Sequence, residues 1–97
     1  MISREKYLLN CIAEEANEIA IRASKAVRFG LEEVQPGQTK TNRARLVKEL
    51  IDLATVVEMA GIKPLSSAEA FSMMEAKREK VEKFYDYSVS LKEAKPR

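Results

Sequence analysis

The chain has 97 residues, which suits one domain spanning 1–97 with a small core. Its 45% hydrophobic and 33% charged residues exclude a disordered chain, and a net charge of +2 argues against a nucleic-acid partner. A single cysteine excludes an internal disulfide, the lack of histidine excludes His-type zinc sites and His-activated nucleophiles, and no apolar run approaches membrane-spanning length. With no secretory h-region either, a cytoplasmic protein without membrane contact is expected.

The spacing predicts a first helix over about 3–29, with Ser3 as its N-cap and Gly30 as its stop. Leu8, Ile12, Ala16, Ile19, Ala23, Ala26 and Val27 form its core stripe. Cys11 reads as a small packing residue. Residues 31–41 carry Pro36-Gly37 in a polar setting, a turn signal, and read as a mobile loop with Glu32 and Glu33 in solvent. A second helix is expected from Thr41 or Asn42 to near Gly61, with Leu46, Leu50, Leu53, Ala54 and Val57 as its stripe. A third starts after Ser66, where Ser66-Ser67-Ala68-Glu69 has the form of a capping box, and runs to about Ser90. It is apolar on two sides: Phe71, Met74, Val81, Tyr85 and Val89 on one, Met73, Phe84, Tyr87 and Leu91 on the other. A helix of that kind has two things to pack against. The fold expected is all-α, a helical bundle of two long antiparallel helices plus a third, completed by oligomerisation.

Two acidic pairs carry the chemistry: Glu15-Ala-Asn-Glu18 and Glu49-Leu-Ile-Asp52. The i, i+3 spacing puts each pair on one helix face. On a helical wheel Glu15 borders the apolar stripe of the first helix, while Glu49 falls inside that of the second. A carboxylate at a core edge needs a compensating partner. Lys25, Arg22 or Arg45 could supply it as an ion pair. A hard divalent ion could supply more, with Mg²⁺ the first choice and Mn²⁺ the alternative. Glu14 points away from the stripe and reads as solvated.

These residues resemble the all-α nucleoside triphosphate pyrophosphohydrolases, the MazG-like group, whose hallmark is E-x-x-E followed some tens of residues later by E-x-x-D. The stretches Cys11–Ala20 and Val47–Ala54 look like the two motif helices, and Lys25-Ala-Val-Arg28-Phe29-Gly30 is similar to a segment of small members. The resemblance covers roughly residues 8–60. It implies Mg²⁺-dependent hydrolysis of a nucleoside triphosphate, ribo or deoxy, to the monophosphate and pyrophosphate, in nucleotide-pool housecleaning. Glu15, Glu18, Glu49 and Asp52 would be the metal ligands, with Glu15 also the base that takes a proton from water. Lys25 and Arg28 are candidates for phosphate contacts, with Arg22 and Arg45 behind them. Lys25 shares a flank with Glu18, while Arg28 faces elsewhere on an ideal helix and rests on the resemblance. Asn42 could read base or phosphate, or simply cap the second helix. Members of this size form homodimers or homotetramers. The alternative is a non-catalytic helical module of the same fold that binds a nucleotide or a protein. A DNA-binding reading through Lys40, Arg43 and Arg45 is opposed by the near-neutral charge.

Overall fold

A computed structural model describes residues 2–94. It is all-helical there, with α1 at Arg4–Phe29, α2 at Asn42–Met59 and α3 at Ser67–Ala94. Two compact units result, Met1–Lys63 and Pro64–Arg97.

The helix ends follow local chemistry. Ser3 caps α1, its Oγ accepting from the Lys6 amide at 3.2 Å, and Arg28 sits in the last turn, where a cation complements the helix dipole. Gly30 stops the helix at φ 94°, a conformation an L side chain resists, and its amide still donates to the Ala26 carbonyl. Thr41 caps α2 through Oγ1, which accepts from the Ala44 amide. The far end of α2 is a Schellman motif: Gly61 donates to the Glu58 carbonyl and Ile62 to that of Val57, with Gly61 at φ 72°.

The connection between α1 and α2 is tied down where the sequence suggested a mobile loop. Gln38 donates to the Gln35 carbonyl across a turn with Pro36 and Gly37 at its centre. The amides of Asn42 and Arg43 donate to the carbonyls of Glu33 and Leu31. Asn42 Nδ2 donates to Gly30 O at 2.9 Å and to Glu33 Oε1 at 3.1 Å. Arg43 pairs with Glu32 at 2.6 Å, and Arg45 donates to Gln35 Oε1 at 2.7 Å. Glu32 remains exposed, as expected, while pairing with Arg43; Glu33, expected in solvent too, is half-buried and holds Asn42. Asn42 does not cap α2, because Thr41 does; its side chain, 1% exposed, fastens the loop to both helices.

Gly30 at the end of α1 meets Asn42 at the start of α2, while Glu15, further back on α1, meets Glu49, further along α2. The two helices therefore run antiparallel. Between them the core is thin. Leu8, 4% exposed, is the one buried apolar side chain among the described residues. Ile12, Ile19 and Ala26 of α1 and Leu46, Leu53, Val56 and Val57 of α2 are half-buried. Val27, 88% exposed, is not a core residue, and Leu50 and Ala54 also face outward. Val27 follows Ala26 on the wheel by a full 100°, enough to leave a narrow stripe. A buried Leu contributes about 2 kcal/mol, against about 1–2 kcal/mol of backbone entropy for every residue ordered. The half-buried set must therefore do most of the stabilising in this hairpin.

In the second unit, Ser66 Oγ accepts from the Glu69 amide at 3.1 Å, the first half of the expected box. The Glu69 carboxylate reaches past the cap to the Leu65 amide at 3.4 Å. Arg78 pairs with Glu75 one turn away. The helix continues to Ala94, four residues beyond the expected end, since nothing before Pro96 breaks it. Phe71, Met73, Met74, Val81, Phe84, Tyr85, Tyr87 and Leu91 are all exposed. The last tail residues, 95–97, lie outside the described residues.

Candidate metal centre

The antiparallel hairpin brings three of the four paired acids together. Glu15 of α1 and Glu49 and Asp52 of α2 each offer a carboxylate oxygen, and these oxygens lie within 4.8 Å of one another. All three residues are half-buried. Glu18, one turn further along α1, is exposed and does not join them. Glu14 is exposed, as its position on the wheel suggests.

Like charges at this separation must find protons or cations. Glu15 shows the strain most clearly. Its carboxyl is held above the ordinary value of 4.5, first by burial, then by a hydrogen bond with the Glu49 side chain, then by the charges of Asp52 and Glu49, with Lys48 pulling the other way. Glu15 Oε2 is screened from solvent and has no hydrogen-bond partner.

The counter-charge comes from Lys48. Its Nζ donates to Asp52 Oδ2 at 2.6 Å across one turn of α2. The ammonium is held more firmly protonated than usual, through that hydrogen bond and charge and through Glu49 and Glu15. Arg22, Lys25 and Arg45, the cations that the wheel suggested, make no ion pair among the described residues. The i, i+4 spacing of Lys48 and Asp52 was the available signal for this pairing.

The basic candidates fall into two grooves. One, of about 310 Å³, is lined by Lys40, Arg45, Lys48 and Asp52, with Val47 and Ile51 between them. It adjoins the acidic trio through Asp52. The other, of about 270 Å³, lies along α1 and is lined by Lys25, Arg28, Ile21 and Ser24. Lys25 and Arg28 thus share one groove, as their i, i+3 spacing on α1 allows. Asn42 is committed through Nδ2 to the loop, while its Oδ1 is buried without a partner.

Three carboxylate oxygens converging from two helices match what a hard divalent ion requires: oxygen donors, negative charge, and room left for water or phosphate oxygens. The unpartnered Glu15 Oε2 is a donor with nothing else to bind. No helix among the described residues is long and apolar enough to cross a membrane. Comparison with models of known protein families, with curated proteins and with solved structures gives no match.

Proposed function

We propose that the chain is a Mg²⁺-dependent nucleoside triphosphate pyrophosphohydrolase, converting a ribo- or deoxynucleoside triphosphate and water to the monophosphate and pyrophosphate. The observation that carries this reading is the convergence of Glu15, Glu49 and Asp52 across the α1–α2 seam. These three would hold the ion, with Glu18, exposed one turn from Glu15, as a fourth ligand only if its side chain turned toward them. When bound, the ion supplies positive charge against the phosphate oxygens and makes a water molecule more acidic.

The rest is done by the chain's own groups. Glu15 would take the proton from the attacking water. Arg45 and Lys48 beside Asp52, and Lys25 and Arg28 along α1, offer cations to the phosphate chain. The resemblance to the MazG-like enzymes agrees in motif and in residue types. A homodimer or homotetramer in the cytoplasm is part of the same reading, supported by the apolar side chains that α3 leaves exposed.

The Lys48–Asp52 pair favours one alternative, a binding module of the same fold without turnover, because it already gives the acids a cation. Pyrophosphate release from a panel of nucleoside and deoxynucleoside triphosphates with Mg²⁺, run on wild type and Glu49→Ala, decides the matter. Release by wild type that the variant loses supports the enzyme. Nucleotide-dependent thermal stabilisation with no release supports the module.

A further inference from the structure

Lys48 stands at a junction. Its ammonium pairs with Asp52 on one side and lines the groove shared with Lys40 and Arg45 on the other. We propose that Lys48 is a substrate-binding residue held in reserve: it pairs with Asp52 until a divalent ion takes that carboxylate, and then pairs with the phosphates of an incoming nucleotide in the adjoining groove. The proposal rests on the metal reading of the trio.

Two observations and two general principles lead there. The pair is a single hydrogen bond on a side chain that is 69% exposed, so exchange costs little. A doubly charged ion held by several carboxylates outcompetes one ammonium for Asp52. The four-carbon stem of lysine lets the ammonium swing without moving α2. The groove then presents Lys48 beside Lys40, which makes no ion pair among the described residues, and beside Arg45, whose Nη1 is held by Gln35. Val47 and Ile51 add apolar lining to the same groove. Such a groove suits a polyphosphate that carries a less polar group.

The exchange couples the two ligands. Without nucleotide, Lys48 competes with the ion for Asp52; with nucleotide, the phosphates draw Lys48 away and the competition ends. Removing the ammonium should therefore have opposite effects on the two bindings, which loss of a merely structural ion pair would not.

The test is the binding of Mn²⁺ alone, followed by electron paramagnetic resonance, and of the manganese–inorganic triphosphate complex, followed by calorimetry, on wild type and Lys48→Gln. Circular dichroism checks that the variant is folded. The expected result is Mn²⁺ bound several-fold more tightly by Lys48→Gln, and the triphosphate complex bound about tenfold more weakly, as for loss of one charge-assisted hydrogen bond. Equal Mn²⁺ affinities, or an undiminished affinity for the complex, overturn the role of Lys48 and leave the metal centre standing. Wild type that binds no Mn²⁺ overturns both.

Discussion

Glu15 of α1 and Glu49 of α2 bring carboxylate oxygens within 4.8 Å across the seam between antiparallel helices, and Asp52 adds a third acid at the same place. The folded protein therefore binds a proton at Glu15 more tightly than the unfolded chain does, since its carboxyl is raised from 4.5. The stability linked to this group is full below its unfolded value and is lost as pH rises through its folded value. The metal-free protein should melt at falling temperatures across that window. Mn²⁺ affinity should run oppositely, weakening as pH is lowered through the same range, because the ion displaces the proton. Melts and Mn²⁺ titrations over a pH series check both trends, and Glu15→Gln should flatten the slope of the melts. A slope unchanged in that variant would assign it to another group.

Glu49→Gln separates stability from activity. The amide keeps the shape and removes one of three converging charges, so the metal-free protein should melt higher than wild type. The same change removes a metal-binding carboxylate, and Mg²⁺-dependent pyrophosphate release should fall by about a hundredfold or more. Glu14→Gln, one residue before Glu15 but exposed, should leave both measurements unchanged. If Glu49→Gln lowers the melting temperature instead, the acids are not repelling one another and the trio is already balanced by Lys48.

The parts of this architecture readable from sequence are those decided within a turn or two of chain. Ser3, Gly30, Ser66 and Gly61 mark helix ends through hydrogen bonds to residues at most five away, so their types and spacing suffice. The acidic pairs are legible for the same reason, because i, i+3 spacing alone sets their common face. Asn42 is different. Its role needs the Gly30 carbonyl and the Glu33 carboxylate, 12 and nine residues away, and nothing local distinguishes a buried latch from a cap. Val27 and Leu50 failed as core residues because a two-helix seam covers a narrower arc than the stripe that the sequence offers. Lys48 was legible as an i, i+4 partner of Asp52. Which of the nearby cations meets the acids, however, depends on helix rotation at the seam.

Asn42 supports a stability prediction of its own. Asn42→Ala removes the donor to Gly30 and Glu33 and leaves two acceptors at the helix junction without it. The loss should be about 1–3 kcal/mol in urea unfolding. Glu33→Gln keeps an acceptor oxygen for Asn42 Nδ2 and should cost much less. Limited proteolysis should cut within residues 31–41 faster in Asn42→Ala than in wild type, because the loop has lost its fastening. Equal cleavage rates would show that the backbone bonds from Asn42 and Arg43 hold the segment without the side chain.

The exposed apolar residues of α3 lead to the last prediction. Phe71, Met73, Phe84, Tyr85 and Leu91 lie open along 28 helical residues, and among the described residues the hairpin buries one apolar side chain, Leu8. A chain with so little buried apolar surface gains most by covering these side chains with further copies of itself. Sedimentation should then give a species larger than one chain, and the melting temperature should rise with protein concentration, as mass action requires. Phe84→Lys should reduce the assembly and make the melting temperature lower and less dependent on concentration. A surface Lys elsewhere, such as Asn10→Lys on an exposed position of α1, serves as the control for added charge. If wild type sediments as a single chain at all concentrations, α3 serves some other partner and the oligomeric part of the reading fails, while the acidic trio, built within one hairpin, is untouched.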